Sequence, residues 1–237
     1  MILRIRKNIP EKKSIGKIGK MKTYQKIQTL FLRSENAGRS CTVVPGKWSR
    51  PEFKLLKDID WVMTEKVDGT NIRVIWDSEK VVFKGKNKNS QIPSDLVQKL
   101  METFIPEKMA SVFPAKEGEE PIFTLYGEGY GREIQKGGGD YIPDGVDFIL
   151  FDVYFSGTEG GMWLTREACE VIAKTLDIKI VPIIDIGPLS VAISHCINGF
   201  KSELRYTPPE GLILKPLYEL KDRRGNRIIS KLKLSDF

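Results

Sequence analysis

Short apolar stretches separated by turn formers run through the chain, and their spacing predicts more strands than helices. Trp61 to Lys66 and Ile72 to Trp76 are β-branched and aromatic, which predicts two strands around an Asp68-Gly69 turn. Lys80 to Lys84 predicts a third, entered through the hairpin turn Asp77-Ser78-Glu79. Leu96, Val97, Leu100 and Phe104 share one face of a helix over Asp95 to Phe104, with Ser94 placed to cap it. After a loop at Glu117 to Pro121, Ile122 to Tyr126 reads as a strand. Gly127 to Gly145 is glycine-rich, and its triplet Gly137 to Gly139 reads as a flexible loop. Phe148 to Phe155 is an almost continuous apolar strand interrupted by Asp152. Helical periodicity returns over Thr165 to Leu176. Ile178 to Ile184 reads as a strand, and Pro188 opens a helix that ends near Gly199. Gly211 to Leu217 and Arg227 to Leu234 are the last strands. Residues 27–60 read as an irregular lead-in. Hairpins outnumber crossovers, so the expected class is α+β with mainly antiparallel sheets.

Composition narrows the setting. The 237 residues suffice for a real core, and no apolar run approaches the roughly 18 residues of a membrane span. Three cysteines (Cys41, Cys169, Cys196) without a C-x-x-C pair, and one histidine, His195, argue against a zinc site or a disulfide framework. The chain reads as soluble and cytoplasmic. Its net charge of +7 is concentrated at the start, where residues 1–26 hold nine Lys or Arg against the single acid Glu11. That segment reads either as a basic arm that holds nucleic acid or as a solvated extension ahead of a natural start at Met21.

The chemistry begins at Glu65-Lys66-Val67-Asp68-Gly69-Thr70-Asn71. A lysine followed by x-Asp-Gly on a turn leaving a strand can present an amine to a nucleotide phosphate, with the glycine letting the turn fold tightly against the ligand. Alone, K-x-D-G arises by chance in about one chain in twenty of this length. Four further segments raise its specificity. Phe151 adjoins the buried acid Asp152. Glu210-Gly211 opens a strand that ends in Lys215. Lys231 and Lys233, two apart on a strand, point to one face. Tyr126-Gly127-Glu128-Gly129 ends a strand in a glycine-flanked acid. An acid inside an apolar strand, as at Asp152, is costly unless paired.

In this order the segments resemble the covalent nucleotidyltransferases, the superfamily of ATP-dependent DNA ligases, RNA ligases and capping enzymes. Asn71, Tyr-Gly-Glu-Gly at 126–129 and Gly85-Lys86-Asn87 with Gln91-Ile92-Pro93 are most similar to RNA ligases related to the phage nick-sealing enzyme. Tyr24 to Phe31 resembles that family's opening segment. The resemblance spans about residues 21–236. It implies a nucleotidyltransferase (ATP-grasp-like) adenylation domain over 21–237, after the arm at 1–20. The nick-sealing phage enzyme and DNA ligases carry another domain after this point; only four residues follow Lys233 here, so no separate C-terminal domain is expected. It also implies ATP with Mg²⁺ or Mn²⁺, a lysyl-AMP on Lys66, and a monomer that joins RNA 5′-phosphate and 3′-OH ends without a membrane partner.

Residue roles follow from the same resemblance. Phe151 stacks on adenine. Glu128 and Asp68 meet ribose or a water-bound metal, and Glu210 holds the metal. Lys231 and Lys233 grip the α-phosphate and leaving group, with Lys215 a lesser phosphate or strand contact. Glu65, Gly69 and Asn71 belong to the nucleotide site with the lysine motif. Lys86 stands where relatives carry Arg, and keeps the charge without the bidentate fork. Other readings are a DNA ligase or capping-type guanylyltransferase, and a binding protein that kept the fold without catalysis.

Overall fold

The computed structural model describes residues 23–34, 42–87, 89–115, 121–157 and 160–237. The arm at 1–20 and most of the Glu117–Pro121 loop lie outside the described residues. Strands β1 (Gln28–Thr29), β2 (Phe31–Arg33) and β3 (Val43–Trp48) lead to the short helix α1 (Pro51–Leu55). Then come β4 (Trp61–Glu65), β5 (Thr70–Trp76), β6 (Val81–Gly85), α2 (Ser94–Thr103), α3 (Pro106–Val112), β7 (Ile122–Gly131), β8 (Val146–Gly157) and β9 (Gly160–Trp163). The chain continues with α4 (Arg166–Leu176), β10 (Lys179–Ile180), β11 (Ile183–Gly187), α5 (Leu189–Asn198), β12 (Gly211–Pro216) and β13 (Ser230–Lys233).

Two sheets carry the architecture. One is ordered β1-β13-β12-β4-β11, the other β10-β8-β7-β5-β6 with β9 added on β8, while β2 and β3 pair apart. Among the described strands only β1–β13 and β8–β10 pair in parallel. The class is therefore α+β with mainly antiparallel sheets, as the spacing predicts.

Strand parity decides what each sheet face holds. Ile72, Val74 and Trp76 of β5 join Leu125, Phe148 and Leu150 in one core, closed by Leu96, Leu100 and Phe104 of the α2 region and by Ile172 and Leu176 of α4. Met63, Leu212, Leu214 and Leu232 form a second core with Phe53 of α1 and Leu189, Ala192 and Cys196 of α5. Each sheet thus turns one face to helices, leaving the alternate positions for the space between the sheets.

Several expectations need correction. The lead-in is not merely irregular, since β1 extends the first sheet at its β13 edge. Helix α3, which the spacing does not predict, has Pro106 in its first turn and buries Met109. Ser94 lies inside α2 and makes no cap bond; its hydroxyl meets Asp95 instead. The segment Ile178 to Ile184 is two strands: Val181-Pro182 breaks it, and β10 and β11 join different sheets. Strand β7 does not end at Tyr126 but runs on through Gly131. A Cβ at Gly127 would lie 2.2 Å from the Phe148 ring, and one at Gly129 2.3 Å from Leu96 Cδ2. These glycines leave room for the core to press on the strand and do not break it.

Candidate active site

A cleft of about 270 Å³ opens between the sheets, lined by Lys66, Asn71, Glu128, Phe151, Lys215 and Lys231 among others. Parity explains the convergence. In β12 the buried Leu212 and Leu214 alternate with Ile213 and Lys215, and in β13 Leu232 is flanked by Lys231 and Lys233. Lys231 pairs in register with Ile213, and Lys233 with Gly211. The two ammoniums do share a face.

Lys66 follows β4, and its amide donates to the Gly211 carbonyl at 2.9 Å. That bond sets the lysine turn beside the mouth of β12, where Glu210 stands. Lys66 Nζ lies 2.5 Å from Glu210 Oε2, and Lys233 Nζ 2.6 Å from Glu210 Oε1. One carboxylate therefore holds two cations from strands far apart in sequence. The Lys231 ammonium is held below its ordinary range by burial, and the nearby Lys66 and Lys233 charges add to this. Such a group gains when an anion arrives.

Glu128 sits opposite Asn71 in the β5–β7 pairing. Its carboxyl is pushed up to about 8, chiefly by burial, with Glu210 and Asp68 adding and Lys66 opposing. Gly69 has a different task from the one its sequence suggests. It has no left-handed backbone. A Cβ there would stand 2.3 Å from the Gly129 carbonyl oxygen and 2.8 Å from Glu128 Cγ. The glycine lets the lysine turn press against β7, which brings Lys66 beside Glu128. Asp68 is not a cleft-lining residue; its amide donates to the Tyr141 hydroxyl at 3.1 Å. Lys86 is exposed at the end of β6 and lines the cleft rim.

Glu65 borders the cleft, but its side chain is fully buried. Its carboxylate accepts the Ser202 hydroxyl at 2.5 Å and the Glu203 amide at 2.9 Å. That carboxylate is committed to the loop before Glu210, not turned toward a nucleotide.

Phe151 owes its direction to a β-bulge. Asp152 pairs with Tyr126 and Leu150 with Gly127, so Phe151 is an extra residue in the β7–β8 ladder. A bulge re-aims side chains without ending the sheet. Phe151 turns to the cleft. Asp152, 4% exposed, meets Lys215 Nζ at 2.8 Å through both oxygens, Arg227 at 3.2 Å and the Tyr24 hydroxyl at 2.5 Å. Burial alone would raise the Asp152 carboxyl; Lys215 and Arg227 outweigh it and hold the group below its ordinary range. Lys215 is pushed down by burial, with Arg227 adding, against the pull of Asp152. Asp152 faces two cations; Arg227 keeps its charge and also meets Glu219 Oε2 at 3.0 Å, and so Lys215 is the strained member. Lys215 is thus first an Asp152 partner at the cleft wall.

Sequence reasoning missed the contribution of Tyr24, Gln25 and Lys26, which line the cleft from the segment just before β1. The Gln25 amide group clasps the Arg227 backbone in both directions, at 2.6 and 3.0 Å. Tyr24 packs edge-on against Phe151 with ring centroids 5.1 Å apart. The likeness of Tyr24 to Phe31 to a family opening segment was the available signal; Arg227, over the Trp163 ring at 4.4 Å, gave none.

Among the described residues no three His, Cys, Asp or Glu side chains converge as a metal cluster. The donors present are hard carboxylate oxygens, and Glu128 is raised partly by its acidic neighbours Glu210 and Asp68. This suits a divalent ion such as Mg²⁺, which takes one or two carboxylates and completes its shell with water and phosphate.

A two-sheet α+β fold with a lysine, paired carboxylates and further lysines in the intervening cleft defines a nucleotidyltransferase-type domain. The chain belongs to the RNA ligase family, whose model matches residues 59–233. Among solved structures it is similar to the Naegleria gruberi RNA ligase. A mutant form of that enzyme without ligand is 20% identical with a TM-score of 0.58, covering 78% of this chain and 52% of the other. A mutant with ATP and Mn is 18% identical with a TM-score of 0.59, covering 91% and 60%. The form with PPi is 21% identical with a TM-score of 0.56, covering 77% and 52%. The chain spans about half the length of most of these structures.

Proposed function

We propose that this chain is an ATP-dependent RNA ligase that works through a covalent lysyl-AMP on Lys66. The observation that carries the reading is the placement of Lys66 Nζ beside Glu210, in a cleft that also offers Phe151 and Lys231. Membership of the RNA ligase family supports it, as does the fold shared with a ligase whose solved forms hold ATP, AMP or PPi.

In the first step Lys66 Nζ, once deprotonated, attacks the α-phosphorus of ATP. The N–P bond forms as the bond to the bridging oxygen breaks, and pyrophosphate leaves. Glu210 Oε2, 2.5 Å from the amine, orients it at the mouth of β12 before ATP enters. Lys231 and Lys233 face the phosphates from β13. Phe151 presents its ring to adenine, and Glu128 and Asn71, paired across β5 and β7, face ribose. Lys86 at the rim is set to meet the incoming 5′-phosphate. That 5′-phosphate displaces Lys66 from the AMP phosphorus, and a 3′-OH then displaces AMP and seals the strand. A Mg²⁺ or Mn²⁺ ion held by Glu210 and Asp68 would neutralise phosphate charge. The enzyme would act as a cytoplasmic monomer on RNA ends.

Incubation with Mg²⁺ and α-labelled ATP or GTP, followed by a denaturing gel, tests this reading. Label from ATP that survives denaturation is expected, and Lys66→Ala should abolish it. Pyrophosphate treatment beforehand discharges any AMP already bound. Protein that stays unlabelled after that treatment would refute the reading. Preference for GTP, or for DNA ends over RNA, would move the assignment to a guanylyltransferase or a DNA ligase.

A further inference from the structure

The lysine turn is braced from outside by groups that do not line the cleft. Behind it, Glu65 holds Ser202 and Glu203. The Ser202 hydroxyl oxygen accepts the amides of Leu204 and Arg205, each at 3.0 Å. The Arg205 guanidinium then lies 4.7 Å from the Tyr141 ring centre. Tyr141 closes the circuit by accepting the Asp68 amide at 3.1 Å, while Gln135 donates to the Gly69 carbonyl at 3.2 Å. The chain of contacts leaves the turn at Glu65 and returns at Asp68.

The supporting loop is not the flexible segment that its glycines suggest. Gly138 is buried, and a Cβ there would lie 1.9 Å from the Gly131 carbonyl oxygen. The Asp140 carboxylate accepts the Thr207 hydroxyl at 3.0 Å and ties the loop to the segment before Glu210. Beneath the turn, Val67, Tyr130, Ile149 and Val181 form a small third core, with Tyr141 and Leu204 packed against it. The Tyr141 ring meets Tyr130 edge-on at 5.6 Å.

We propose that Tyr141 is a positioning residue for the nucleophile: its hydroxyl, braced by Arg205, fixes the Asp68 amide and so the turn that aims Lys66. The inference rests on the reading of Lys66 as the adenylylated residue. In that reading Lys66 reacts in the first two steps, as attacker and then as leaving group, and takes no covalent part in sealing. A brace for Lys66 therefore matters to the first two steps and not the third. A role in overall stability would depress all three.

Tyr141→Phe removes one oxygen and keeps the ring beneath Arg205. The rate of lysyl-AMP formation at saturating ATP should fall about 10- to 100-fold, because small misplacements of reacting groups carry large rate penalties. The KM for ATP and the sealing of RNA already carrying a 5′-adenylyl group should stay within about two-fold. Amide hydrogen exchange at Asp68 should speed up about tenfold as its acceptor is lost. Arg205→Lys, which keeps the charge but not the flat stacking surface, should show a smaller loss of the same pattern. Equal losses in all three steps, or unchanged exchange at Asp68, would overturn the proposal. Wild-type protein that forms no lysyl-AMP would overturn the ligase reading and this role together. The exchange measurement would still show whether the brace exists, so the two failures are distinguishable.

Discussion

Asp152→Asn tests how far the buried charges behind Phe151 depend on the carboxylate that Lys215 and Arg227 share. Asparagine keeps the shape and can still accept the Tyr24 hydroxyl. It leaves the Lys215 ammonium without its carboxylate beside Arg227, which keeps Glu219 Oε2 at 3.0 Å; the two side chains are 21% and 9% exposed. Removing one partner of a buried ion pair costs about 3–5 kcal/mol. For a chain of this size each kcal/mol lowers the melting temperature by roughly 2–4 °C, so a drop of about 6–20 °C is expected. Thermal and urea unfolding near pH 7.5 read this directly. The double variant Asp152→Asn with Lys215→Met removes the surplus cation and should recover about 0.5–3 kcal/mol, the range of direct coupling between neighbours. Acid unfolding supplies a second check. The folded carboxyl lies below its ordinary value, so the Asp152 contribution is complete above the unfolded pKa near 3.9. It disappears as pH falls through the folded value. The variant should lack that part of the acid limb. A loss below about 1 kcal/mol, the range of exposed pairs, would refute the buried-charge reasoning.

Three more outcomes follow. The Glu128 carboxyl is raised from 4.5 to about 8 in the folded protein; its favourable contribution is complete at low pH and is lost as pH rises through about 8. Stability should therefore decline between about pH 5 and 8, and Glu128→Gln should flatten that decline in urea titrations; an unchanged slope would assign the decline to other groups. Gly69→Ala would press a methyl group against the Gly129 backbone, whereas Gly129→Ala meets the movable tip of Leu96. The first should lower lysyl-AMP formation at least about 100-fold and the second much less, as misaimed reacting groups predict; similar activities would show that the turn does not need its close approach. Removal of residues 1–20 should weaken RNA binding and flatten its salt dependence, measured by titration at several ionic strengths. Sealing that is unchanged at every salt concentration would assign the arm to solvation.

Much of the site was legible because its chemistry follows local rules. Period-two alternation puts Lys231 and Lys233 on one face, and the structure keeps them there. The cost of an acid in an apolar strand required partners for Asp152, and it has three. The identity of those partners was not legible, because Tyr24 and Arg227 lie 128 and 75 residues away. Glycine was the main source of error. Gly127, Gly129 and Gly138 read as turn or loop signals, yet at each a Cβ would come within 2.3 Å of a neighbouring ring, methyl or carbonyl, of which only the Leu96 methyl at Gly129 can move aside. Close approach in three dimensions and backbone freedom select the same residue, and one sequence does not separate them. Glu65 shows the converse. Its place beside Lys66 suggests ligand contact, but its carboxylate is tied into the opposite loop.

The bulge at Phe151 acts as a frame shift within β8. Upstream of it, Phe148 and Leu150 face the first core; downstream, Val153 faces that core again, three residues on instead of two. Between them, adjacent residues supply a ring for the cleft wall and an acid for the buried cluster, two tasks that a regular pleat would send to opposite faces. The length of this segment is consequently as constrained as its residue types. Loss of one residue from the bulge would restore the regular pleat, and the strand could no longer serve both the cleft wall and the buried cluster. An unbroken alignment across 146–157 should therefore be a stronger mark of function in a related chain than identity at any single position within it.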